Sequence, residues 1–292
     1  MSQAGEVKRI LVVGAGTMGH GIAHVAAQAG YEAAIYDVSP AAVQKALASV
    51  QANLQKGVEK GKLSSDQRDA TLKRLSAAPA RLEEAAAWCD LAVEAVPEKI
   101  ELKAQIFGTL GKHAPAHAVL ATNTSSLPVT RIAEASGRPA QVVGMHFFNP
   151  VHIMALLEVV RADTTSEATL ATTLAVGKAM GKQVIVVKDA PGFATSRLGI
   201  ALGMEAIRMV EEGVASPADI DTAMTLGYGH PMGPLKLTDL VGLDVRLGIA
   251  EHLSKVLDDR RFAPPALLRK MVAEGKLGKK SGQGFYAWPA GA

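Results

Sequence analysis

Over the first two-thirds of the chain, short apolar runs alternate with longer stretches in which apolar positions recur at helical spacing. Short runs bounded by turn formers suit strands buried on both faces, whereas a recurrence of roughly 3.6 residues suits a helix with one buried stripe. Arg9 to Val13 reads as a strand, and Ile22, Ala23, Val25, Ala26 and Ala29 follow as a helix. Glu32 to Tyr36, Leu91 to Val96, Ala118 to Thr122, Gln141 to Phe147 and Gln183 to Val187 are further strands, with helices over Glu101 to Leu110 and Pro128 to Ala135. Residues 37–90 are too long for an ordinary connection. Val43, Leu47, Val50, Leu54 and Val58 mark one helix, and Ser64-Ser-Asp-Gln67 forms a capping box opening a second that runs through Leu72 and Leu75. These two read as a helical hairpin projecting from the sheet.

From about Gly192 the strand signal ends. Leu198 to Val210 is long and apolar, Ser216-Pro217 starts another helix, Leu240 to Leu257 makes a third, and Pro264 to Glu274 a fourth closed by Gly275. The division predicts an α/β domain over residues 1–188 and an all-α domain over 189–292.

The first strand leads directly into Gly14-Ala-Gly16-Thr17-Met18-Gly19. In a strand–turn–helix context the first glycine permits the tight turn, the second lets a pyrophosphate approach the backbone, and the third lets the helix pack on the strand. The second strand ends in Asp37, near the ~20-residue offset at which a carboxylate meets the ribose hydroxyls. That pattern predicts a Rossmann-like dinucleotide-binding domain with a helical hairpin insertion. An acid at this position repels a 2′-phosphate, so it favours NAD over NADP. A turn or helix-cap role beside Ser39-Pro40 is the competing reading of Asp37.

Composition narrows the partners. The chain has 292 residues, 48% of them hydrophobic and 20% charged, with a net charge of +3. It has no basic stripe for nucleic acid and no run near the roughly 20 apolar residues of a membrane span. A single cysteine, Cys89, supports neither an internal disulfide nor a cysteine-based metal cluster, and the N-terminus lacks a secretory signal. A cytoplasmic protein that binds no metal is expected.

The chemistry centres on the stretch from Val142 to Glu158. An apolar run delivers His146, a proline-marked corner follows, and a second apolar run delivers Glu158. Two strand-like segments arranged this way bring imidazole and carboxylate face to face, which makes a general base. A lone histidine in an apolar run is more often simple core; here it shares the carboxyl-end rim of the sheet with Gly16 and with the polar cluster Thr122-Asn-Thr-Ser125-Ser126. Proton removal there and hydride transfer to a dinucleotide together oxidise an alcohol.

The motifs together resemble the 3-hydroxyacyl-CoA dehydrogenase family, and especially its short bacterial 3-hydroxybutyryl-CoA branch. The likeness runs from Lys8 to Trp288 through Val93-Glu-Ala-Val-Pro-Glu98, Asn123-Thr-Ser-Ser126, His146-Phe-Phe-Asn149-Pro150, Lys188-Asp-Ala-Pro-Gly-Phe193, Pro231-Met-Gly-Pro234 and Gly278-Lys-Lys-Ser-Gly-Gln-Gly-Phe-Tyr286. The resemblance implies reversible oxidation of an (S)-3-hydroxyacyl-CoA to the 3-ketoacyl-CoA. It casts His146 as the base, Glu158 as its partner and Ser125 as a contact to the substrate's 3-oxygen and the nicotinamide side. Asp37, Glu98, Lys103, Asn149 and Lys280 fall where the family binds NAD, Lys60 where it holds the CoA phosphate arm, and Asn53 where relatives place a serine against CoA. Ser196 stands where many relatives have an asparagine beside the 3-oxygen, and a hydroxyl offers one donor in place of an amide's two. The family's usual homodimer is expected.

Two other readings stay open. One is oxidation of a free 3-hydroxy or sugar acid on the same scaffold, which needs no CoA phosphate site. The other is a non-catalytic NAD-binding protein, for which Ser196 speaks and the His146–Glu158 pair speaks against.

Overall fold

A computed structural model describes residues 7–289 and divides into two compact units, 1–190 and 191–292. The first is built on one eight-stranded sheet. In chain order its elements are β1 (Arg9–Val13), α1 (Thr17–Gln28), β2 (Glu32–Tyr36), α2 (Pro40–Glu59), α3 (Ser65–Lys73), β3 (Leu75–Ala77), α4 (Leu82–Trp88), β4 (Leu91–Glu94), α5 (Ile100–His113), β5 (Val119–Thr122), α6 (Val129–Ala135), β6 (Val142–Phe147), β7 (Leu156–Arg161), α7 (Glu167–Ala179) and β8 (Gln183–Lys188). The strand order is β3-β2-β1-β4-β5-β6-β7-β8. The first six strands run parallel, β7 is antiparallel to β6, and β8 is parallel to β7. This is the doubly wound arrangement whose order reverses between β1 and β4, where such sheets hold ligands. Ile10, Val12, Ile35, Val93 and Ala121 are fully buried, as strands covered on both faces require.

Two expectations are corrected in the insertion. The helix opened by the Ser64–Gln67 capping box stops at Lys73, and Leu75 begins β3, which extends the sheet by pairing with β2. A further short helix, α4, returns the chain to β4.

The second unit is helical: α8 (Thr195–Glu211), α9 (Pro217–Thr222), α10 (Pro234–Val241), α11 (Leu243–Leu257) and α12 (Ala266–Ala273). The stretch expected as one helix over Leu240 to Leu257 is broken at Gly242, whose φ of 105° no helix accommodates. Ile200, Met204, Leu235, Leu243, Leu253 and Leu268 form the core. Two buried carboxylates lock the C-terminal segment onto it. Asp239 accepts from the Phe285 and Tyr286 amides and from Trp288 Nε1, and Asp221 accepts from the Leu235 and Lys236 amides and the Tyr286 hydroxyl. A β-carbon on Gly284 would overlap the Asp239 carboxylate, which accounts for glycine at that position of the closing motif.

Candidate active site

The glycine loop sits at the carboxyl end of β1. A β-carbon on Gly19 would lie 1.7 Å from the Gly14 carbonyl oxygen, so α1 meets the loop only because that side chain is missing. Around Gly16 nothing lies within 4 Å of such a carbon, so the exposed face above it is open to a ligand's close approach. Gly16 caps α1, whose first turn carries no acidic residue, so its orphan N–H groups present partial positive charge. Thr17 is exposed and Met18 half-buried in that same turn. Asp37 closes β2 with one carboxylate oxygen accepting from the Ala15 amide at 2.8 Å and the other from the Ser39 amide at 3.0 Å. It therefore braces the turn, and each oxygen retains acceptor capacity for a hydroxyl. Clefts of ≈ 810 and ≈ 620 Å³ flank the loop, the first lined by Tyr36, Asp37 and Val96 and the second by Gly16, Met18, His20 and Lys45. Bare backbone, helix terminus and carboxylate together fit a dinucleotide. A larger cleft, ≈ 1170 Å³, lies among Lys8, Gly30 and Ala175 at the opposite ends of the strands, away from this rim.

The rim after β4 and β5 is held by a buried ionic cluster. Glu94, fully buried, accepts from Lys103 Nζ, Thr122 Oγ1 and the Val96 amide, each at 2.7 Å. The same ammonium lies 3.3 Å from Glu98. Glu98 in turn accepts from Thr124 Oγ1, from the Ser125 amide at 2.8 Å and from the Ser126 amide at 3.2 Å. Burial alone would raise the Glu98 pKa, but the Lys103 charge and these hydrogen bonds outweigh it and hold the carboxyl below its usual value. Ser125 is thus positioned by Glu98 through its backbone. Lys103 is enclosed completely, beneath the surface a cofactor would touch, so the structure gives it to Glu94 and Glu98 as their shared counter-ion. Sequence reasoning missed Glu94, although a charged residue ending an apolar strand inside Val93-Glu-Ala-Val-Pro-Glu98 was a usable signal.

His146 and Glu158 are direct cross-strand partners in the β6–β7 register. Met145, Phe147, Leu157 and Val159 face one hydrophobic core, which turns His146 and Glu158 together to the other face. His146 Nδ1 stands 2.7 Å from Glu158 Oε2, with His146 6% exposed and Glu158 fully buried. Phe148 tilts against the imidazole at 4.5 Å between ring centres. The Asn123 side-chain oxygen accepts from the Phe147 amide, tying the exit of β5 to the end of β6. Asn149 is exposed at the start of the corner, and Lys182 anchors that corner by donating to the Val151 and Met154 carbonyls.

Asn53 and Lys60 lie seven residues apart along one face of α2 and its C-cap, Asn53 half-buried and Lys60 exposed. In the second unit, Ser196 occupies the first turn of α8, and Lys280 pairs with Asp244 at 2.6 Å. Among the described residues no cluster of three or more His, Cys, Asp or Glu side chains suits a metal ion, and no helix is long and apolar enough to cross a membrane.

Residues 9–190 match the model of the 3-hydroxyacyl-CoA dehydrogenase NAD binding domain, and residues 192–288 that of the C-terminal domain. The chain is 46% identical over 281 residues to a protein of Bacillus subtilis named "Probable 3-hydroxybutyryl-CoA dehydrogenase", covering 96% of this chain and 97% of that one. It is 40% identical to the 3-hydroxyadipyl-CoA dehydrogenase of Escherichia coli, covering 97% of this chain and 60% of that longer protein. The solved structure of (S)-3-hydroxybutyryl-CoA dehydrogenase PaaH1 from Ralstonia eutropha is similar at a TM-score of 0.93 and 39% identity, over 97% of this chain and all of that one. With both domain models matched and identity sustained end to end, the chain belongs to the 3-hydroxyacyl-CoA dehydrogenase family.

Proposed function

We propose that the protein catalyses the NAD-dependent, reversible oxidation of (S)-3-hydroxyacyl-CoA esters, 3-hydroxybutyryl-CoA among them, to 3-ketoacyl-CoA. The observation that carries this reading is the buried His146–Glu158 pair on the rim that also bears the glycine loop. A protein that only binds a dinucleotide has no use for a buried carboxylate aimed at an imidazole. NAD, when bound, supplies the hydride acceptor; the residues of the chain manage the proton and the substrate. Glu158 holds a proton on Nδ1 of His146, which makes Nε2 the basic nitrogen. That nitrogen takes the 3-hydroxyl proton in oxidation and returns it in reduction, and Glu158 stabilises the imidazolium between. Because reduction starts from the imidazolium, it is favoured at lower pH.

Ser125, set by Glu98, directs its hydroxyl to the 3-oxygen, and Ser196 offers a single donor in place of an amide. The reading assigns NAD binding to Asp37, Glu98, Asn149 and Lys280, with Lys103 acting through Glu98. Lys60 and Asn53 serve the CoA arm. A cytoplasmic homodimer fits the single, fully buried Cys89 and the exposed Leu198, Leu237, Val241 and Val245 of the helical unit.

The test is a time course of NADH formation from 3-hydroxybutyryl-CoA, with free 3-hydroxybutyrate and the His146→Ala variant alongside. Turnover of the CoA ester alone, abolished in the variant, is expected. Turnover confined to the free acid would replace the thioester reading, and NAD binding without turnover of any 3-hydroxyacyl-CoA would overturn the enzyme reading.

A further inference from the structure

Two carboxylates share one ammonium at the exit of β4. Lys103 Nζ stands 2.7 Å from Glu94 and 3.3 Å from Glu98, and among the described residues no other cation pairs with either carboxylate. One negative charge is therefore left over. Glu94 and Lys103 are fully enclosed, whereas the Glu98 side chain is 38% exposed on the rim. The ammonium is drawn inward to the buried partner, so the outward carboxylate keeps most of its charge. With Glu98 alone to pair with, Lys103 would neutralise the rim; Glu94 behind it prevents that.

Packing does not require this surplus. A buried ion pair needs one carboxylate for each ammonium, and an extra charge beside a desolvated pair adds to its cost. The rest of the rim indicates what the charge is for. The pyrophosphate of a dinucleotide suits the start of α1, where no acidic residue opposes the positive end of the helix dipole. In the dehydrogenase reading Asp37, after β2, takes the adenosine ribose. The strand order then leaves the nicotinamide half for the side of β4 and β5. The oxidised nicotinamide ring is the cationic group of the cofactor, and hydride transfer removes its charge. A positive helix terminus beside a negative cluster matches that succession of charges.

We infer that Glu94 sets the preference of the site for the oxidised over the reduced cofactor, by drawing Lys103 inward and leaving a net negative charge at Glu98. The inference rests on the dehydrogenase reading. Glu94 touches no ligand; it is a positioning residue that acts through Lys103. Once the hydride has arrived the attraction is gone, which favours release of the reduced cofactor.

Titration calorimetry of the full chain with NAD+ and with NADH reads this preference without turnover. Unit charges about 12 Å apart in an effective dielectric of about 20 interact by an amount worth roughly tenfold in affinity. In Glu94→Gln, which keeps the shape and removes the charge, NAD+ should bind about three- to tenfold more weakly and NADH within about twofold of the wild type. Glu98→Gln leaves the buried pair balanced and keeps an oxygen for the donors around Ser125, so it should shift the ratio of the two dissociation constants in the same direction. Glu94→Gln/Lys103→Met restores one uncompensated carboxylate at Glu98, and the ratio should return to within about twofold of the wild type. A purely structural role would instead weaken both forms alike, and most in the double variant. A ratio unchanged in Glu94→Gln, or in Glu98→Gln should the first not fold, overturns the inference and leaves the dehydrogenase reading intact. So does a shifted ratio that the double variant fails to restore. A wild type that binds neither form removes the two together.

Discussion

Replacing Glu158 with glutamine tests the proton-handling half of the mechanism while keeping the shape of the site. The pair is 2.7 Å apart, and the carboxylate is fully buried. At an effective dielectric constant of about 20, unit charges at that separation attract by about 6 kcal/mol. The imidazole carries only part of its eventual charge in the transition state; at about half, roughly 3 kcal/mol of stabilisation is lost, or about 10² in rate. An amide also removes the strict preference for a proton on Nδ1, which takes the expected loss toward about 10³. We expect kcat for 3-hydroxybutyryl-CoA oxidation, followed by NADH absorbance, to fall on the order of 10² to 10³. KM and the NAD dissociation constant should stay within a few fold, because the glutamine touches neither ligand. Activity within about threefold of wild type in a folded Glu158→Gln protein would refute the reasoning.

The two loop glycines should respond differently to alanine. Gly16→Ala has open space for its methyl, so the protein should melt near the wild-type temperature while NAD binding, read by titration calorimetry, weakens by about tenfold or more; Gly19→Ala collides with the Gly14 carbonyl and should lose stability and binding together. Lys103→Met strands two carboxylates and should lower stability by about 3–5 kcal/mol in urea unfolding, with Glu94→Gln recovering part of that in the double variant. Burial and the nearby His152, His20 and Lys182 charges lower the His24 pKa to about 4. The unfolded chain therefore takes up this proton first, so stability is full above pH ~6.5 and declines by about 3 kcal/mol as pH falls toward 4. His24→Phe should flatten that limb of the urea midpoint against pH, and an unchanged limb would assign the acid sensitivity elsewhere.

The strands that carry the site were legible because each is an unbroken apolar run ending in polar residues, and the partnership of His146 and Glu158 follows from two such runs around a proline corner. Elements whose burial does not depend on large apolar side chains were not. In α7 the buried face includes Thr169, Thr173 and Gly177, which leave little hydrophobic signature, and α7 passed unread. The edge strand β3 is only three residues long and continues the phase of the helix before it, so periodicity could not end one and begin the other. The break at Gly242 escaped for a similar reason: apolar positions stay in step from Leu240 to Leu257, and only the backbone angle shows the chain turning. Glu94 illustrates a different limit. A sequence shows that a charge interrupts an apolar pattern, but whether that charge finds a partner is a fact of three dimensions.

The antiparallel turn from β6 into β7 gives the His146–Glu158 pair an unusual kind of protection. Moving β7 by one residue against β6 would send Glu158 to the opposite face and at the same time expel Leu157 and Val159 from the core. An imidazole–carboxylate contact set by loops can drift through mutations that leave folding untouched. Here the error that would separate the two groups also dismantles the sheet, so mutations that misalign the chemistry are removed as folding failures before they persist as slow enzymes. Residues whose partners are not set by strand register carry no such safeguard, because they can change one at a time without disturbing the sheet.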